Sequence, residues 1–169
     1  AVAVKFVEIW YFIPSIISGS LFPAIINAKK TNLLIYRKRI RAFFILMVSV
    51  ALLIALPTTI LAHWMVSFLF GPEYLEVIGV LRIYIWSGIG LLVGWAINQY
   101  LLSENKSIII LYINSLAMIV NVVLNLIFIP KIGLLGAALA TLVSYSIGPI
   151  IVGVMQLYKR LQSRIVKTI

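Results

Sequence analysis

The stretch Asn125–Gly148, NLIFIPKIGLLGAALATLVSYSIG, is apolar nearly throughout and breaks once, at Pro130-Lys131-Ile132-Gly133. Two runs of membrane length on either side of so short a break read as a helical hairpin at a membrane surface. Proline disfavours helix in the residue before it, so Pro130 is expected to end the first arm. Gly133 frees the backbone to turn.

The composition extends this reading to the whole chain. It is 63% hydrophobic and 11% charged, with a mean hydropathy of +1.15. A soluble domain is about half apolar and about a quarter charged. In 169 residues that excess cannot be enclosed in one core beneath a polar surface. The chain must face lipid.

A membrane helix needs about 20 mainly apolar residues. Five runs meet that length, over residues 6–27, 42–63, 78–102, 107–129 and 134–157. Each is too long for a barrel strand, and helices are then the way to satisfy backbone polar groups in hydrocarbon. The expectation is an all-α, polytopic helical membrane protein. A basic loop is expected over 28–41 and a basic tail over 158–169. The opening AVAVKFVEIW has no charged segment before an apolar core, so it is not read as a signal peptide. It begins in mid-pattern, and residues 1–169 are expected to be a fragment whose upstream part is missing.

The net charge of +10 invites a nucleic-acid reading, which the distribution of charge opposes. Lys29, Lys30, Arg37, Lys38, Arg39 and Arg41, then Lys106, then Lys159, Arg160, Arg164 and Lys167 fall on one side of a five-fold crossing. The other side has Lys5, Arg82 and Lys131. Eleven against three is the positive-inside pattern, placing the first loop and the C-terminus in the cytoplasm. Anionic lipid, not nucleic acid, is the partner expected for the basic loop.

Polar residues inside the spans are candidate site residues. Asn114, Asn121 and Asn125 share one helical face, either bonding between helices or lining a polar path. Arg82 lies about a turn in from the outer end of its span. It either snorkels to headgroups or meets an anion in a cavity. Lys5 and Glu8 are three apart and either neutralise each other or serve substrate binding and ion coupling. Gly136, Ala140, Ser144 and Gly148 recur every four residues and suit close packing or a sliding surface. With no cysteine there is no thiolate metal site, the glycines lie mostly inside apolar spans and form no nucleotide-binding loop, and His63 with four glutamates does not assemble a catalytic triad, so no metal or cofactor is expected. The chain is not read as an enzyme.

The order of features resembles the C-terminal part of bacterial polysaccharide flippases. These are the O-antigen type exporters of the multidrug/oligosaccharidyl-lipid/polysaccharide transporter superfamily. The segments that carry the resemblance are AVAVKFVEIWYFIPSIISGSLFPAI, VSFLFGPEYLEVIGVLRIYIW and NQYLLSENKSIIILYINSLAMIVNVVLNLIFIPKIGLLGAALATLVSY. The resemblance covers nearly the whole chain. It implies part of a six-helix bundle within a twelve-helix transporter of the bacterial inner membrane, with the N-terminal half as its partner. Its cargo would be an undecaprenyl-pyrophosphate-linked oligosaccharide, and other polysaccharide-assembly proteins would be further partners. Arg82 and Lys5 would then be the cations available to the diphosphate, and Glu8 the candidate for ion coupling. A drug/cation antiporter of the same superfamily and a membrane enzyme of lipid-linked glycan assembly are the alternatives.

Overall fold

The computed structural model describes residues 12–165, with side chains described over 12–157. They form α1 (Phe12–Thr31), α2 (Leu33–Phe70), a 3-10 turn (Pro72–Tyr74), α3 (Val77–Ser103), α4 (Ser107–Ile132) and α5 (Leu134–Ile165). No strand occurs among the described residues. All five helices are long and apolar enough to cross a membrane. The chain is a multi-pass helical membrane protein.

The expected loop over 28–41 is helical everywhere except at Asn32. Asn32 has extended backbone (φ −154°, ψ 113°), and its side chain accepts hydrogen bonds from the Leu34 and Ile35 amides at 2.8 and 3.2 Å. That satisfies two of the donors a new helix leaves open, so one residue both ends α1 and starts α2. Charge did not prevent helix here, because arginine, lysine and leucine are good helix formers. At 38 residues, α2 is about 57 Å long against a hydrocarbon core of about 30 Å. It ends at Gly71, whose φ of 91° suits glycine, and Pro72 then opens the 3-10 turn.

The hairpin between α4 and α5 is tighter than expected. The helix passes through Pro130 and stops only at Ile132. Proline's φ is already helical, so the helix can continue through it at the cost of one missing donor and of crowding between its ring and the Leu126 carbonyl. Gly133, at φ 59°, is the joint; its N–H donates to the Ile129 carbonyl at 2.9 Å. Between α3 and α4, Asn105 takes the left-handed conformation (φ 56°), as asparagine readily does. The Lys106 N–H donates to the Leu101 carbonyl and the Asn105 N–H to Leu102, closing α3.

Helix α3 is the centre of the packing. On one side Leu92 and Ala96 meet Ile25 and Ala28 of α1 and Phe43, Met47 and Ala51 of α2. Farther along, Leu81 and Ile85 meet Ala55, Ala62 and Val66 of α2. On the other side Ile97 and Leu101 join Ile113 of α4 and Val152 of α5. The buried residues of α2 recur every three or four positions with one seven-residue gap, so this long helix lays one stripe against the bundle. Helix α4 buries only Ile113 and rests mainly on α5.

Helix α5 approaches its neighbours through the small residues. A Cβ on Gly136 would stand 2.6 Å from the Phe128 carbonyl carbon and oxygen of α4. A Cβ on Gly90 of α3 would stand 2.7 Å from the Tyr145 carbonyl oxygen. Ala140 and Ser144 are buried in the same stripe. Gly136→Ala is therefore expected to destabilise the protein by about 1–3 kcal/mol, the usual cost of overpacking. Gly153→Ala, where nothing lies within 4 Å, should change little. Thermal unfolding of both variants in detergent checks this; equal midpoints would refute the contact's importance.

Candidate functional site

A cavity of about 370 Å³ lies between α3, α4 and α5. Its lining takes Tyr84, Trp95 and Asn98 from α3, Asn114, Met118 and Asn121 from α4, and Thr141, Ser144 and Tyr145 from α5. Asn121, Gly90 and Tyr145 each stand near the midpoint of a membrane-length helix. The cavity therefore sits near the middle of the three helices' membrane-length segments. Asn114 and Met118, which line it from α4, are exposed, so the cavity is open on their side. Among the described residues the lining has amides, hydroxyls and aromatic rings but no carboxylate, lysine, arginine or histidine.

Local chemistry fixes several of these groups. Asn125 does not line the cavity; its Nδ2 donates to the Asn121 carbonyl at 2.9 Å and to Asn121 Oδ1 at 3.0 Å. It thereby orients Asn121 and leaves that residue's own amide donors for the cavity. The Ser144 and Thr141 hydroxyls donate back to the Ala140 and Ala137 carbonyls at 2.6 and 2.9 Å. They can face a ligand only as acceptors. Pro149, which also lines the cavity, has no N–H to give to the carbonyl four residues back, that of Tyr145. The oxygen of that carbonyl lies 2.7 Å from where a Cβ of residue 90 would be, closer than a side chain tolerates. Glycine there allows the two main chains to meet, with a Cα–H close to the oxygen.

The asparagine face is thus divided, Asn114 and Asn121 lining the cavity and Asn125 supporting it. Arg82 is exposed and lines neither this cavity nor a more apolar one of about 570 Å³ along Trp86, Val93 and Ile150. Its position is roughly 160° around α3 from Tyr84, so it leaves the helix on the side away from the polar cavity. Lys5 and Glu8 lie outside the described residues. Tyr84 and Tyr145 did not stand out in the sequence as site residues, and Asn98 did so only as a polar residue inside the third span. Trp95 was not read as a site residue either, although a tryptophan so far from the ends of its span departs from the usual place of such rings in the headgroup layer.

A second polar cluster joins three helices at one end of the bundle. Lys29 Nζ of α1 lies 3.0 Å from Glu104 Oε1 and also donates to the Ser103 carbonyl. The Tyr36 hydroxyl of α2 donates to Glu104 Oε1 at 2.6 Å and lies 2.7 Å from Ser103 Oγ. Tyr36 and Ser103 are buried. The Tyr36 hydrogen bond, then the Lys29 contact and the Lys106 charge, hold the Glu104 carboxyl below the ordinary carboxylate range against the opposing effect of burial. This cluster ties the α1–α2 joint to the α3–α4 turn.

No family model matches this chain, and no curated protein or solved structure is detectably similar to it.

The depressed Glu104 pKa sets a pH dependence. A carboxyl more acidic in the folded state contributes stability that is present above its unfolded pKa and is lost as pH falls through the folded one. Wild type should therefore lose thermal stability on acidification below about pH 4, the unfolded carboxyl value. Glu104→Gln should be less stable at neutral pH and should show a smaller acid loss. Unfolding midpoints across pH for both chains check this; parallel curves would refute it.

Proposed function

We propose that this chain forms part of a flippase that moves an undecaprenyl-pyrophosphate-linked oligosaccharide across the bacterial cytoplasmic membrane, with its C-terminus in the cytoplasm. The observation that carries the reading is the amide- and aromatic-lined cavity near the middle of the membrane-length segments of α3, α4 and α5. A glycan presents many hydroxyls and flat, weakly polar ring faces. Amides answer the hydroxyls as donors and acceptors, and aromatic rings answer the ring faces. Asn98, Asn114 and Asn121 supply the first, and Tyr84, Trp95 and Tyr145 the second.

Polar amides in lipid are costly, so an exposed Asn114 in a membrane helix favours a rim facing water or protein. Transporters commonly hold cargo near the bilayer midplane and alternate access around it. The lining is uncharged and suits the glycan portion better than the diphosphate. Arg82, turned away from this cavity, is assigned to the outer headgroup layer.

In cells that depend on this protein for surface polysaccharide, Asn121→Leu should reduce glycan export on the order of tenfold or more. It removes hydrogen bonds and leaves a cargo hydroxyl unsatisfied, a loss of about 1–3 kcal/mol. Arg82→Ala should export near the wild-type level. Both are compared at equal membrane abundance. Undiminished export by Asn121→Leu would overturn the assignment of the cavity.

A further inference from the structure

The structure separates the basic cluster of the α1–α2 joint into bound and unbound cations. Lys29 is taken by Glu104 and the Ser103 carbonyl, and Arg39 by the Ala24 carbonyl. Lys30, Arg37, Lys38 and Arg41 are exposed and have no protein partner among the described residues. Glu104, the acid at this end, is already engaged by Lys29 and Tyr36.

Three of the unbound cations share a face. Arg37, Lys38 and Arg41 fall within roughly 100° of the circumference of α2. Tyr36, Phe43 and Met47, which pack into the bundle, lie on the opposite side. Followed toward the other end of α2, the outward stripe changes from these cations to the exposed apolar side chains of Ile45 and Leu56. A single face that turns from basic to apolar within about 12 Å marks the edge of the hydrocarbon. At about 57 Å, α2 is long enough to cross the core and still carry these turns into the headgroup layer.

We infer that Arg37, Lys38 and Arg41 form a binding surface for the headgroups of anionic phospholipids. Charge complementarity selects the phosphate, which guanidinium groups bind through paired N–H donors. Continuity with the apolar stripe selects a phosphate that carries acyl chains, since one ligand then covers both parts of the face. The inference does not depend on the cargo proposed above.

The test uses the full chain in phosphatidylcholine nanodiscs, with spin-labelled phosphatidylglycerol or spin-labelled phosphatidylcholine as probe. Wild type should immobilise phosphatidylglycerol preferentially. The combined Arg37→Gln, Lys38→Gln and Arg41→Gln variant should lose that preference by about fivefold or more, since each near-surface cation contributes about fivefold. Lys131→Gln, at the other end of the bundle, should keep it. Helicity by circular dichroism establishes that the triple variant is folded. If it is not, the wild-type salt dependence decides, because screening shortens from about 10 Å at 0.1 M to about 3 Å at 1 M. A preference that survives the triple substitution, or is insensitive to salt, would overturn the inference. Loss of the preference to inorganic phosphate at constant ionic strength would indicate a free-phosphate site and overturn the lipid assignment.

Discussion

The arrangement of the second half of the chain depends on the meeting of two main chains, at Gly90 on α3 and Tyr145 on α5. Pro149 lacks the N–H that would bond the Tyr145 carbonyl along its own helix. The carbonyl oxygen occupies the space a side chain at residue 90 would need. Only glycine permits that approach without displacing one helix. The Gly136 contact with Phe128 fixes α5 to α4 in the same manner at another height. With α5 held closely against both, α3 and α4 stand apart, and the cavity is the space between them. Its floor is set by glycine and proline, and its polarity by asparagine.

The helical class and the five spans were legible because length and hydropathy decide both when lipid is the solvent. The joints were less so. Residues 28–41 suggested a loop from their charge, but one asparagine cap was sufficient to let helix resume at Leu33. Pro130 suggested a stop, yet the stop is at Gly133, where the backbone leaves the helical region. Both differences have one cause: a turn is specified by the backbone geometry of a single residue, which composition averages away.

The site was partly legible. Spacing placed three asparagines on one face of α4, and two of them line the cavity. Periodicity could not tell which amide would turn to bond its neighbour, a choice made by the Asn125–Asn121 contact. Nor could it pair Lys29 with Glu104, which are remote in sequence and meet only through the packing of α1 and α3. Arg82 drew attention as a cation in a membrane span, but its side of α3 depends on which face the bundle covers.

The length of α2 has a mechanical consequence. An α-helix is stiff along its axis, and this one runs unbroken from the Asn32 joint to Gly71. At about 57 Å it exceeds the thickness of the hydrocarbon core and is long enough to reach both membrane surfaces. Its interior proline, Pro57, removes one rung of the hydrogen-bond ladder at the Leu53 carbonyl and makes the natural pivot. The missing rung is where such a helix bends most easily, so Pro57 sets the boundary between the arm that carries the basic residues and the arm that ends at the Gly71–Tyr74 corner.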